Sequence, residues 1–449
     1  MSGAQHLEPM AAHEHTVIVG LGRTGLSMAR VLHARGEPFT VVDSRERPPG
    51  LAALRELDPA IPVQLGPFDP VLFAAADRLL VSPGVSLEEP AIRAARAEVL
   101  GDIELFARLV TAPVVAITGS NGKSTVTALL GEMARVCGRR VLLGANYGVP
   151  ALDLLDRPAP DCYVLELSSF QLETVDSLRP LAAAVLNLSP DHMDRHGSLA
   201  AYASAKARVF RHARTAVSNR DDPLTRVSDG GARRVGFGLD APPVETDFGL
   251  IRRGGAVWLA RGRTAYLKVS ELRIPGRHNT ANALAALALG EVLGLDRDGM
   301  IEGLRRFPGL AHRCQWVATV DGVDWYNDSK GTNVGATVAA IRGLEGPLVL
   351  IAGGVGKGAD FGPLREALSG AVRAVVLYGR DAAQIEAAVH GAVPVVRAAG
   401  LRAAVAAAAH LARPGERVLF SPACASFDLF RDFEHRGDEF MRLVRERAG

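Results

Sequence analysis

Cysteine is scarce and never paired: the 449-residue chain has four, Cys137, Cys162, Cys314 and Cys424, with no C-x-x-C among them. Such spacing excludes a disulfide framework and predicts buried thiols in a reducing compartment. Long apolar runs are also missing. None reaches the roughly 18 to 20 residues that span a bilayer, and the alanine-rich segment 401–412 is interrupted by Arg402 and His410. Charge of one sign does not dominate either, because 51 Lys and Arg meet 49 Asp and Glu for a net +2, with the bases scattered among acids. A nucleic-acid partner would need them clustered. Residues 1–15 are polar, carry three histidines and lack the apolar core of a secretory signal, so a disordered tail is expected there. With no membrane segment, a soluble cytoplasmic protein follows. No short tandem repeat and no interface stripe stands out, which makes a monomer the default.

What remains is a globular composition, 48% hydrophobic and 22% charged, in a chain long enough for about three domains. Strand-like runs alternate with helical patterns through most of it, the signature of an α/β protein with parallel sheets covered on both faces. Three blocks separate: 16–102, 103–309 and 310–449. Within the second, 230–263 is rich in Gly, Arg and Pro and predicts an irregular or antiparallel edge.

The most informative stretch is Gly119-Ser120-Asn121-Gly122-Lys123-Ser124-Thr125, which follows the apolar run 113–118 and precedes a helical pattern. A strand feeding a glycine turn that opens a helix presents backbone N–H groups and a positive dipole to anionic oxygens. Lys123 adds full charge, and Ser124 or Thr125 offers a hydroxyl to Mg²⁺. Ile117 stands where the strict G-x-x-x-x-G-K-[ST] pattern needs its first glycine, so this is the shorter variant G-x-x-G-K-S-T. A nucleoside triphosphate is the expected ligand; a glycine-rich turn with an exposed lysine is the blander reading.

Gly20-x-Gly22-x-x-Gly25 with Asp43 at the next strand's end matches the dinucleotide fingerprint in form, yet the same geometry serves any nucleotide pyrophosphate. With the triphosphate loop in another block, a second nucleotide-bearing ligand is the better reading than a nicotinamide or flavin. Glu166 and His192 each follow a buried strand of the second block and should face the triphosphate as Mg²⁺ ligands, although hard Mg²⁺ prefers oxygen to imidazole. Lys206 shares a helical face with Tyr202 and Phe210, the pattern of a snorkelling lysine. An ammonium cannot ligate a metal, so the residues alone leave it unassigned. Pro275 to Asn282 opens a long helix with amides suited to adenine or ribose, or simply to capping. Further loops at 326–333, 353–361 and 421–428, the last ending a strand and starting a helix, offer three anion sites for a small polyanion such as an acidic amino acid.

Taken together, Thr118 to Thr125, Leu165 to Glu173, Asp191-His-Met-Asp-Arg195, Asn327-Asp-Ser-Lys330 and Ser421 to Ser426 resemble the Mur ligase family of ATP-dependent amide-forming enzymes, over nearly the whole chain after residue 15. The last two motifs favour the glutamate-adding member. The resemblance implies an N-terminal Rossmann-like domain for a UDP end, a central P-loop ATPase with a mostly parallel sheet, and a C-terminal Rossmann-like domain that closes over the amino acid. It implies ligation of D-glutamate to UDP-N-acetylmuramoyl-L-alanine through an acyl phosphate, in peptidoglycan precursor synthesis. Uridine would lie near Arg23, Thr24, Asp43, Ser44 and Arg45, beside Ser82, Pro83 and Gly84, with Asn146 recognising the same substrate. Mg²⁺ would sit at Ser124, Glu166 and His192, and Lys206 occupies the position of a carbamylated lysine, whose CO₂-derived carbamate supplies a hard oxygen. ATP would contact residues 119–125, Asn279, Asn282, Arg313 and Asp328; Thr332, Lys357, Ser426 and Phe433 would hold glutamate. Lys123, His192, Lys206 and Arg313 are the implied catalytic set. Val355 and Phe427 depart from the family pattern near the amino-acid loop. A sister ligase, a folylpolyglutamate synthase, a nicotinamide oxidoreductase on Gly20 to Asp43 and a non-catalytic P-loop module are the rival readings.

Overall fold

A strand such as Val114–Thr118, apolar but for its last residue and buried at every position, must be covered on both faces. In the computed structural model, which describes residues 15–226, 231–274, 276–344 and 346–448, such strands build three separate sheets. The expected tail, Gly230 and Pro275 lie outside the described residues, His15 excepted.

The first sheet takes β1 (Thr16–Val19), β2 (Phe39–Asp43), β3 (Val63–Leu65), β4 (Arg78–Val81) and β5 (Glu98–Leu100), all parallel, in the order β3-β2-β1-β4-β5. Strand order reverses beside β1, and the crevice there is where doubly wound sheets bind ligands. Gly25, at the start of the helix Arg23–Ala34, packs so tightly on the β1 turn that an added Cβ would lie 1.9 Å from the Gly20 carbonyl oxygen. Gly25→Ala is therefore expected to lower stability by about 3 kcal/mol. A urea midpoint equal to that of the unsubstituted protein would contradict this packing.

The second sheet comprises β6 (Val114–Thr118), β7 (Val141–Ala145), β8 (Cys162–Glu166), β9 (Ala182–Val185), β10 (Thr215–Asn219), β11 (Arg233–Phe237), β12 (Phe248–Arg253), β13 (Ala256–Arg261) and β14 (Thr264–Lys268). Its order is β14-β13-β12-β11-β10-β9-β6-β8-β7, parallel from β7 to β12 and antiparallel from β12 to β14, so the anticipated antiparallel edge is formed by the last hairpins. Here the reversal flanks β6, between β9 and β8, which puts the phosphate loop at the crevice with the ends of both neighbours beside it. The helices Lys123–Val136, Arg277–Val292 and Arg297–Arg306 cover one face with an unbroken apolar core.

The third sheet holds β15 (Gln315–Val320), β16 (Val323–Asn327), β17 (Leu348–Gly353), β18 (Val372–Tyr378), β19 (Val395–Arg397) and β20 (Arg417–Phe420), ordered β15-β16-β20-β17-β18-β19 with only β15 antiparallel. Two expectations need correction. The segment after β20 does not start a helix: Ala423 takes a left-handed φ of 59°, its N–H goes to the Gly331 carbonyl, and the helix begins only at Phe433. Cys137 is half-exposed at a helix end, while the other three thiols are buried. Among the described residues, no helix is long and apolar enough to cross a membrane.

Candidate active site

The phosphate loop is held open by its neighbours. Asn187, just past β9, accepts from the Asn121 N–H at 2.9 Å and donates to the Asn121 carbonyl at 2.9 Å, while its own carbonyl accepts from Ser120 N–H at 2.8 Å. Gly119 and Gly122 have φ of 147° and 83°, and a Cβ at Gly122 would lie 2.3 Å from Asn282 Oδ1. Only glycine lets the loop turn there and still meet the helix Arg277–Val292. Lys123 opens the helix Lys123–Val136 and donates back to the Gly119 and Ser120 carbonyls at 2.9 and 3.0 Å. Burial, and secondarily the Arg313 charge, lower its pKa against the opposing pull of Glu166 and Asp191.

Glu166, the last residue of β8, is 2% exposed and fully engaged. Ser124 Oγ donates to its Oε2 at 2.6 Å and Asn146 Nδ2 to its Oε1 at 2.7 Å. Burial alone would raise its pKa, but Lys123, the two hydrogen bonds and Arg313 outweigh that and keep it ionised. Arg313, from the start of the third block, donates through Nη2 to Ser124 Oγ at 2.7 Å and so reaches the same cluster across the domain boundary.

Lys206 does not snorkel. It is 2% exposed, and its side chain on the helix Leu199–Ala207 carries the amine over the Tyr202 ring, 4.7 Å away, to Thr118 Oγ1 at the end of β6, at 3.2 Å. Burial, with Lys123 adding to it, holds its pKa well below the usual lysine value. Nearby, His192 adopts a left-handed φ of 56°, packs edge-on to Phe170 at 4.9 Å and lies 3.8 Å from Asp191 Oδ2. Burial lowers its pKa more than Asp191 raises it, which favours the neutral ring.

One cavity of about 700 Å³ links these groups to the first sheet. Lys123, Asn146, His192 and Lys206 line one end; Arg23, Thr24, Asp43, Ser44, Arg45, Ser82, Pro83 and Gly84 line the other. Asp43 accepts from Leu21 N–H at 2.6 Å and from Arg45 Nε and Nη2 at 2.8 and 2.6 Å. Burial pushes its pKa up, but these donors win and bring it down to about 2. A second cavity of about 320 Å³ lies on the far side of the loop and gathers Asn121, Gly122, Thr125, Asn279, Asn282, Arg313 and Asp328. Burial raises the Asp328 pKa to about 6 while Ser421 Oγ donates to it at 2.7 Å.

Thr332, Lys357, Ser426 and Phe433 line neither of these cavities. Lys357 comes near enough for its charge to act on His192, and the Phe433 ring sits under Lys330 Nζ at 3.7 Å. Sequence reasoning gave no individual role to Asn187 or Asp191, and placed Lys330 only within a loop expected to bind an anion. The first two stand in the same post-strand segment as His192, which was the available signal.

Residues 117–290 match the family model of the Mur ligase middle domain, 14–101 that of the Mur ligase MurD-like N-terminal domain, and 312–424 that of the Mur ligase glutamate ligase domain. The chain belongs to the Mur ligase family. Among curated Mur ligases it is 56% identical over 446 residues, 98% of each chain, to the UDP-N-acetylmuramoylalanine–D-glutamate ligase of Nitrosococcus oceani. It is 52% identical to that of Marinobacter nauticus, covering 97% of this chain and 99% of the relative. Its fold is similar to the solved pseudomurein peptide ligase type C of Methanothermus fervidus, with a TM-score of 0.62 at 19% identity over 96% of this chain and 99% of that one. The three-domain α/β Mur ligase architecture anticipated from the motifs is thus present, and the family brings ATP and Mg²⁺ with it.

Proposed function

We propose that this chain joins D-glutamate to the carboxylate of UDP-N-acetylmuramoyl-L-alanine, converting ATP to ADP and phosphate, as a cytoplasmic monomer acting on small molecules. The observation that carries this reading is the single cavity running from the Asp43 pocket to Lys123. A sugar nucleotide anchored at Arg23, Thr24, Asp43, Ser44 and Arg45, against Ser82 to Gly84, would extend its peptide carboxylate to the phosphate loop.

The donor set suits Mg²⁺. Ser124 and ionised Glu166 offer hard oxygens at the loop, and among the described residues no cluster of three His, Cys, Asp or Glu forms a closed cage. Mg²⁺ ordinarily takes one or two carboxylates and completes its shell with phosphate and water. Ser124, Glu166, His192 and Lys206 would hold it. When bound, it supplies charge neutralisation for the transferring phosphoryl group. Carbamylation of Lys206 fits the same logic, since only a neutral amine adds CO₂, forming the N–C bond and releasing a proton. Buried Lys206 is held toward that neutral form.

The substrate carboxylate attacks the γ-phosphoryl group, with Lys123 and Arg313 offsetting charge on its oxygens. The acyl phosphate that forms must be kept from water, and the third domain, resting on Ser124 through Arg313, is placed to do so. The neutral amine of D-glutamate, held by Thr332, Lys357, Ser426 and Phe433, attacks the acyl carbon, and phosphate leaves. The adenosine occupies the second cavity beside Asn279, Asn282 and Asp328, and Asn146 orients both Glu166 and the substrate.

Phosphate release tests this directly. It is expected only when ATP, Mg²⁺, UDP-N-acetylmuramoyl-L-alanine and D-glutamate are all present, with L-glutamate inert. Release with another amino acid in place of D-glutamate would make the chain a sister ligase instead.

A further inference from the structure

One helix of the third domain, Val334–Gly343, leans on the central domain at both of its ends. At the first end, Asn333 caps the helix through Ala336 N–H at 2.8 Å. The same side chain donates from Nδ2 to Asp191 Oδ2 at 3.1 Å and approaches Asn121 Oδ1 of the phosphate loop at 3.4 Å. Two residues on, a Cβ at Gly335 would lie 2.7 Å from Ser189 Oγ and 3.2 Å from Ser189 Cβ. At the other end, a Cβ at Gly343 would lie 2.7 Å from His278 Nδ1. Between the two ends, Ala336, Ala339 and Ala340 form one wall of the nucleoside cavity, opposite Asn279 and Asn282.

The helix meets the third domain's own core with Val334, Ala340 and Ile341, none of which makes the contacts described at Asn333, Gly335 and Gly343. Alanine would suit a helix position better than glycine by about 1 kcal/mol. The glycine at 335 therefore answers to what it faces, the segment carrying Ser189 and Asp191.

We propose that this small-residue face is the seat on which the third domain closes over the ATPase, and that Gly335 is a positioning residue whose missing side chain lets Arg313 and the wall of the nucleoside cavity reach the phosphate loop together. The cavity then has its full wall only when the helix is seated, so Gly335 sets how closely that wall meets the loop. The claim rests on the ATP-dependent reading above, but not on which amino acid is joined.

A double-substitution cycle tests it, with Gly335→Ala measured in the native chain and again beside Ser189→Gly, which removes both atoms the new methyl would strike. Three quantities are read: affinity for a non-hydrolysable ATP analogue, the nucleotide-induced fall in radius of gyration by X-ray scattering, and kcat. Gly335→Ala is expected to weaken analogue affinity about ten-fold and reduce the compaction, with a melting temperature no lower than that of the native chain in the absence of nucleotide. Beside Ser189→Gly, the same substitution should cost less than half as much on the logarithmic scale. Equal penalties in both backgrounds, or native affinity and compaction in Gly335→Ala, would overturn the proposal. Analogue binding and scattering need neither glutamate nor the sugar nucleotide, so a wrong assignment of those substrates would show separately, as absent product from a protein that still closes on nucleotide.

Discussion

Lys206→Ala is expected to lose about a thousand-fold in ligation rate, with partial recovery on adding formate or acetate. The amine cannot serve as a metal ligand while protonated, yet it lines the cavity end beside Lys123 and His192, packed against Thr118 and Tyr202. A carbamate there converts a buried base into an anion, and a small carboxylate diffusing into the space left by alanine would replace that anion. Unchanged activity in Lys206→Ala would remove the carbamate role. Stability separates this loss from misfolding. Because the folded-state pKa of Lys206 is depressed, the unfolded chain binds a proton that the folded one rejects. Unmodified protein should thus gain stability as pH rises from the folded-state pKa toward about 10.4. Lys206→Met removes the buried base, and should melt no lower than unmodified protein at neutral pH while remaining inactive.

Lys123→Ala should be at least as damaging, lowering kcat by about a thousand-fold or more. Its ammonium lies 2.9 and 3.0 Å from two loop carbonyls, at the helix start and beside ionised Glu166, so it is aimed where phosphoryl oxygens would gather. The nucleoside cavity is built from other residues, among them Asn279, Asn282 and Asp328. Adenosine affinity should accordingly fall much less than turnover does. Lys123→Arg is not expected to rescue, since a planar fork cannot occupy the turn that one compact ammonium fills. A fluorescent adenosine titration alongside phosphate release would check both; near-normal kcat in Lys123→Ala would contradict the assignment.

Much of this was legible before the fold was seen, for identifiable reasons. The phosphate loop announces itself because strand, glycines, lysine and helix must follow one another in sequence to make the cradle, and Gly122 is indeed where no side chain fits against Asn282. Glu166 and His192 are singled out by sequence because the ends of parallel strands converge on one crevice. The residues alone leave Lys206 unassigned, with a snorkelling pattern, because periodicity reports only a shared face, not what covers it. Its contacts with Tyr202 and with Thr118, distant in sequence, accompany its burial. The strands Val63–Leu65 and Glu98–Leu100 escaped notice because three residues are too few to show an alternation. Asn187 and Asn333 received no role for a different reason: their bonds reach residues 66 and 212 positions away, and standing in a post-strand segment or a loop does not reveal such a partner. The helix expected at Ser421 failed where Ala423 turns left-handed to reach Gly331.

The central claim is that ATP cleavage is coupled to amide formation by phosphorylating the substrate's own carboxylate. Label transfer measures this most directly: UDP-N-acetylmuramoyl-L-alanine carrying ¹⁸O in its terminal carboxylate is turned over with ATP and D-glutamate, and the released phosphate is weighed. One carboxylate oxygen should appear in each phosphate, together with one ADP and a sugar nucleotide heavier by one glutamyl residue. Phosphate free of label, or ADP formed without the lengthened product, would contradict the account.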